Sequence, residues 1–258
     1  MENFTIPLQP VLLFVIVLAR VGGLVTFAPF WSHNAVNART RALIAGILAL
    51  VIAPIVAPRL SAPPTNLIAL TMVIGGELAI GCALGFAARL VFSALEIAAQ
   101  IFGFQIGLSL ASVIDPATRA QTAALGIIAQ MLGLMVMLAS DGHHWLLRAT
   151  VQSYWVVGSG GFTASATLIE ILLRLSANAL AVGVAIAAPA IIVLLGLEVL
   201  LGVMGRAAPK LELMVMSFPI KIAVGMWLMG GALYFIPGSI RQTLDVMRQA
   251  ITALLKAM

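Results

Sequence analysis

Glu77 sits near the middle of an apolar run, residues 67–88, and Glu96, Glu198 and Lys221 lie inside similar runs. An ionised group taken out of water costs several kcal/mol unless it is paired, hydrogen-bonded or hydrated. The helices that carry these charges therefore do not all face lipid. They pack against protein or line something wet. Seven apolar runs approach the length of a membrane span: residues 11–30, 42–57, 67–88, 90–114, 123–139, 177–205 and 211–236. A span takes about 20 apolar residues, so the second and fifth are at the lower edge. With 62% hydrophobic and 9% charged residues over 258 positions, the chain is far too apolar for a water-soluble domain. The predicted fold class is all-α and membrane-associated, built from multi-helix hairpins.

The single cysteine, Cys82, lies in a hydrophobic run, so no disulfide and no multi-cysteine metal site forms within one chain. The net charge of +5 is spread over short loops and helix ends, with no basic stripe interleaved with aromatics. That pattern reads as positive-inside anchoring and not as nucleic-acid binding. The first run does not read as a signal peptide, because Glu2 stands in the segment before it and Lys and Arg are absent there.

Arg39 and Arg41 mark the first loop as cytoplasmic, with the N-terminus outside. Arg59 and Pro63–Pro64 punctuate the next turn, and Arg89 either ends a helix or snorkels from one. Asp115–Pro116 marks a loop or break, because proline restricts its predecessor and lacks an N–H donor. A flexible loop is expected at 158–161, and a new polar-apolar helix after Pro237–Gly238. The hairpin closed by Arg206, Pro209 and Lys210 is basic at its turn and basic again beyond its second helix. The charge rule thus fails there: one end is outside despite its charge, or the hairpin does not cross a bilayer.

Gly81 and Gly85, then Gly103 and Gly107, recur at four-residue spacing. The spacing puts each pair on one helix face and permits close helix contact, with Gln100 and Gln105 near enough to bond across helices. Together with Glu77 and Glu96 they favour a large helical assembly. No nucleotide loop, nucleophile elbow or paired-histidine helix motif occurs. His143–His144 follow Asp141–Gly142, but adjacent helical side chains point in different directions. These residues are read as a helix start with Asp141 as N-cap, and no catalytic, metal or cofactor site is assigned. The twelve methionines, Met214 and Met216 among them, suit core filling or a deformable lining.

Landmarks run along nearly the whole chain. They are Arg20 with Phe27, Ala28 and Pro29; Gly76 and Glu77 followed by Gly81 and Gly85; and Gly107 leading to Asp115 and Pro116. Gly142–His143, Ala188–Pro189, Gly202 to Arg206 with Pro209, and Phe218, Pro219, Ile220 and Lys221 follow. In this order and spacing the chain resembles the FliR/SctT family of type III export apparatus membrane proteins. The resemblance implies a non-enzymatic subunit of a helical multi-subunit export gate in the bacterial inner membrane, within the flagellar basal body. It implies FliP-like and FliQ-like partner subunits, FlhB-like and FlhA-like export proteins, and unfolded substrates passing through the centre. It also implies a FliP-like helical part at 1–175 and a FliQ-like hairpin with a C-terminal helix at 176–258. On that reading Glu77, Gly81, Gly85, Gly103, Gly107, Arg206 and Lys221 pack against neighbouring subunits. The constriction is placed at 105–119, where Leu108, Leu110, Val113 and Ile114 exclude water and Asp115–Pro116 breaks the helix.

Two other classes compete. An ion-coupled secondary transporter would use Glu77 and Lys221, although no convincing inverted repeat accompanies them. An intramembrane enzyme would need Asp115, Asp141 and His143 to converge.

Overall fold

A backbone surrounded by apolar side chains and lipid has to satisfy its own N–H and C=O groups, and the helix does so within one segment. The computed structural model describes residues 8–32, 36–60, 64, 66–107, 119–163, 165–207 and 213–257. Among the described residues there is no strand. The helices are α1 (Leu8–Phe27), α2 (Ala38–Val56, followed by a 3-10 turn at Ala57–Arg59), α3 (Leu67–Ile106), α4 (Arg119–Ala139), α5 (Gly142–Val156), α6 (Ala166–Ala207) and α7 (Leu213–Ala257). The protein is thus all-α, and four helical segments are long and apolar enough to cross a membrane: Gln9–Phe27, Ala38–Arg59, Leu67–Ile106 and Ala166–Ala207.

Short polar side chains start several of these helices. Asn37 accepts from the Arg39 N–H at the head of α2, and Asn66 accepts from Ile68 at 3.1 Å at the head of α3. The Ser165 hydroxyl accepts from the Leu168 N–H at 3.1 Å and donates to the Ala257 carbonyl at 2.7 Å, tying the start of α6 to the end of α7. One expected break is absent, and one open alternative is decided. Of the two readings of Arg89, the one that leaves the helix intact holds: α3 runs unbroken from Leu67 to Ile106, with Arg89 exposed while Ala87 and Ala88 are buried, and a single exposed cation needs no helix end. The segment beyond Pro237–Gly238 continues α7. A proline removes one helical hydrogen bond, and the turns on either side carry the helix through.

The chain divides into two compact units. The first holds Met1–Leu90, Asp141–Leu175 and Asp245–Met258; the second holds Val91–Ser140 and Ser176–Leu244. One boundary, between Leu175 and Ser176, falls where the resemblance divides the chain, yet each unit draws on both of those parts.

In the first unit α1 packs on α2, and both touch α5. The buried stripe of α1 is Ile16, Val17, Arg20, Val21 and Leu24, and it meets Ile80 and Leu84 territory on α3 through glycines. A Cβ at Gly85 would lie 2.7 Å from the Leu24 carbonyl oxygen, one at Gly23 would lie 2.6 Å from the Leu78 oxygen, and one at Gly81 would collide with the Arg20 oxygen. The two backbones are therefore in direct contact, as four-residue glycine spacing allows. In the second unit Phe102, Ile106, Ala190 and Leu194 form a buried cluster flanked by Val224 and Leu228. A Cβ at Gly183 would fall 2.8 Å from the Ala94 oxygen, a second place where small residues let helices touch.

Candidate functional site

The glycine seam fixes where α1 can place its only charged residue. Arg20 and Glu77 are both fully buried. The Arg20 guanidinium donates from Nε to Glu77 Oε2 at 2.6 Å and from Nη2 to Glu77 Oε1 at 2.9 Å. This bidentate geometry is the strongest that an arginine and a carboxylate form. Arg20 Nη1 donates to Ser153 Oγ at 2.7 Å, and Nη2 also donates to the Val157 carbonyl at 3.3 Å. Ser153 passes its own proton to the Thr150 carbonyl at 2.6 Å, and the Gly160 N–H donates to Glu77 Oε1 at 3.4 Å.

Tyr154 covers this pair. Its ring lies under the guanidinium, 3.8 Å from ring centroid to Arg20 Cζ, which is a cation–π contact out of water. Its buried hydroxyl has no hydrogen-bond partner among the described residues. Burial pushes the phenol above its ordinary pKa; the Arg20 charge opposes that shift and Glu77 adds to it. The arrangement is a sealed, charge-neutral brace that holds α1, α3, α5 and the turn at 157–160 together. Removing one member strands the other as a buried charge, which is far costlier than removing both.

The residues expected to pack between subunits take the following places. Glu77 meets Arg20 of its own chain, and Gly81 and Gly85 abut α1 of the same chain. Gly103 is buried within α3. Gly107 lies just past the end of α3 in the left-handed region at φ 89°, where glycine stops a helix, and the Phe218 ring lies against it. Arg206 is exposed in the last turn of α6, where a cation suits the helix dipole. Lys221, 15% exposed, pairs at 3.1 Å with Glu198, which is 57% exposed. Leu108, Leu110, Val113, Ile114, Asp115 and Pro116 lie outside the described residues, as do Lys210 and His33.

Arg20, Ser153, Tyr154 and the 157–160 turn were given no role from sequence. A lone cation in one apolar run and a lone anion in another were the available signal. Asp141 occupies the N-cap position of α5, but its side chain makes no cap hydrogen bond and its backbone is left-handed at φ 54°. The adjacent His143 and His144 do not diverge: their ring centroids are 4.1 Å apart.

A profile described as "Bacterial export proteins, family 1" matches residues 11–247 of this chain. Flagellar biosynthetic protein FliR of Escherichia coli (strain K12) is 32% identical over 219 residues, spanning 85% of this chain and 83% of that protein. Flagellar biosynthetic protein FliR of Caulobacter vibrioides is 29% identical over 83% of this chain and 85% of its own length. Yop proteins translocation protein T of Yersinia pestis is 30% identical over 157 residues, 60% of each chain.

Proposed function

The chain belongs to the bacterial export proteins, family 1, and we propose from this that it is a subunit of the flagellar type III protein export gate. The observation that carries the proposal is the match over residues 11–247, joined to flagellar relatives that align along more than four-fifths of their length. The subunit is non-enzymatic, and no organic cofactor takes part in its work. It sits in the bacterial inner membrane within the flagellar basal body, beside FliP-like and FliQ-like subunits and in reach of FlhA-like and FlhB-like proteins. Its cargo is unfolded protein, and it takes no nucleic acid. Residues 1–175 form its FliP-like part and residues 176–258 its FliQ-like part. The constriction falls in the apolar segment holding Leu108, Leu110, Val113 and Ile114, with the break at Asp115–Pro116.

Helix length supports a gate that extends beyond the bilayer. At about 1.5 Å per residue, the 40, 42 and 45 residues of α3, α6 and α7 amount to roughly 60, 63 and 68 Å of helix measured along the chain's own path. A hydrocarbon core is about 30 Å thick. Transport through an ion site shared by Glu77 and Lys221 loses its premise, since Glu77 is bound to Arg20 and Lys221 to Glu198.

The test is to purify the tagged full chain in mild detergent from its own cells and identify what accompanies it. Stoichiometric FliP-like and FliQ-like subunits are expected, together with loss of motility when the chain is deleted. A lone chain or simple dimer from motile cells overturns the proposal.

A further inference from the structure

At the start of α5 three donor groups converge outside the ionic brace. Asp141, His143 and His144 each bring one ligand atom, and these atoms all lie within 4.8 Å of one another. We propose that they bind a divalent cation of the zinc type.

The chemistry fits, because two imidazoles and one carboxylate are the donor set of zinc and its borderline neighbours, with water completing the shell. The distances fit as well. Metal–donor bonds of about 2.0–2.1 Å in a tetrahedron put donors roughly 3.4 Å apart. His144 Nδ1 and Asp141 Oδ1 already stand 3.1 Å apart. Their side chains are 61% and 79% exposed, so closing the remaining gap takes only side-chain rotation.

Three features set this helix start apart from an ordinary one. His143 Nδ1 is shielded from solvent and has no hydrogen-bond partner among the described residues; a polar group so placed calls for one. The His143 ring lies near the Phe30 ring, centroids 6.4 Å apart at 28°, and near the His144 ring, centroids 4.1 Å apart. Asp141 leaves α5 uncapped and adopts a left-handed backbone, so that its carboxylate meets His144. The positive end of the α5 dipole opposes a cation here, and the Asp141 charge offsets it. A bound ion would clip the first turn of α5, the helix whose far end supplies Ser153 to Arg20.

The experiment uses the full-length chain carrying a histidine-free tag, stripped with chelator and titrated with cobalt in detergent, followed by zinc competition. Visible ligand-field bands saturating at one ion per chain and displaced by zinc are expected. His144→Ala and Asp141→Asn, both at exposed positions, should weaken affinity roughly tenfold or more while eluting as the wild type does. Absence of the bands in the wild type at millimolar cobalt overturns the proposal. So does undiminished affinity in a correctly eluting His144→Ala chain.

Discussion

Arg20 and Glu77 would each be a fault alone at the middle of an apolar helix, and together they are a brace. Breaking a buried ion pair from one side leaves an uncompensated charge and costs about 3–5 kcal/mol, whereas replacing both partners with apolar residues is often neutral. Arg20→Met is therefore expected to lower the detergent-solubilised unfolding temperature sharply. The double variant Arg20→Met with Glu77→Leu should recover most of the loss. A thermal-unfolding cycle over the four proteins measures the coupling, and strictly additive effects would contradict the brace. That Glu77 needs a partner was legible from its place in the run. Which partner was not, because Arg20 lies 57 residues away and no local periodicity links positions at that distance. The histidines failed for a related reason: helical spacing sets where Cβ atoms point, while the side-chain torsions decide where two rings end up.

Between elements, the glycine seam is what lets the brace close. A methyl group at Gly81 would run into the Arg20 carbonyl, which belongs to a backbone and cannot swing aside. Gly81→Ala should push α1 off α3, with a loss of about 1–3 kcal/mol from overpacking, and should reduce the yield of monodisperse chain. Gly46→Ala on α2 meets nothing within 4 Å. It should be neutral or stabilise by up to about 1 kcal/mol, because alanine favours the helix. Equal effects of the two substitutions, read as unfolding temperatures, would remove the seam from the account. Four-residue spacing pointed to close helix approach at Gly81 and Gly85, and both abut α1 of the same chain. At Gly107 the spacing gave no sign that the residue ends α3 in a left-handed conformation; residue interval alone does not separate a packing glycine from a stopping one. The helices themselves were legible as apolar runs. Continuity through Arg89 was one of two readings left open, and continuity through Pro237 was not read at all, since a proline perturbs one turn while the neighbouring turns still pair.

For the molecule as a whole, the exposed side chains say what surrounds it. On α2, Leu43, Ile47, Leu50 and Ile55 project outward at helical spacing while Ala45, Ala49, Ile52 and Val56 face inward. On α6, Ile192, Val199 and Val203 are likewise exposed. Surfaces this apolar are covered by lipid or by other subunits, which is the setting of a gate completed only on assembly. A pore in such a gate must hold back water and ions until substrate enters, and an apolar constriction does this by dewetting. Leu110 and Val113 stand in the segment proposed for that task, ahead of the Asp115–Pro116 break. Replacing both with glycine removes the side chains that would keep the constriction dry. Cells expressing the whole complex with this double variant are expected to leak small ions and grow poorly, measured as loss of membrane potential. Cells expressing the variant chain without its partners should keep their potential. A leak without partners would mark a self-contained channel, and a fully assembled double-glycine complex that conducts no more than wild type would move the constriction elsewhere, with Met214 and Met216 the next residues to replace.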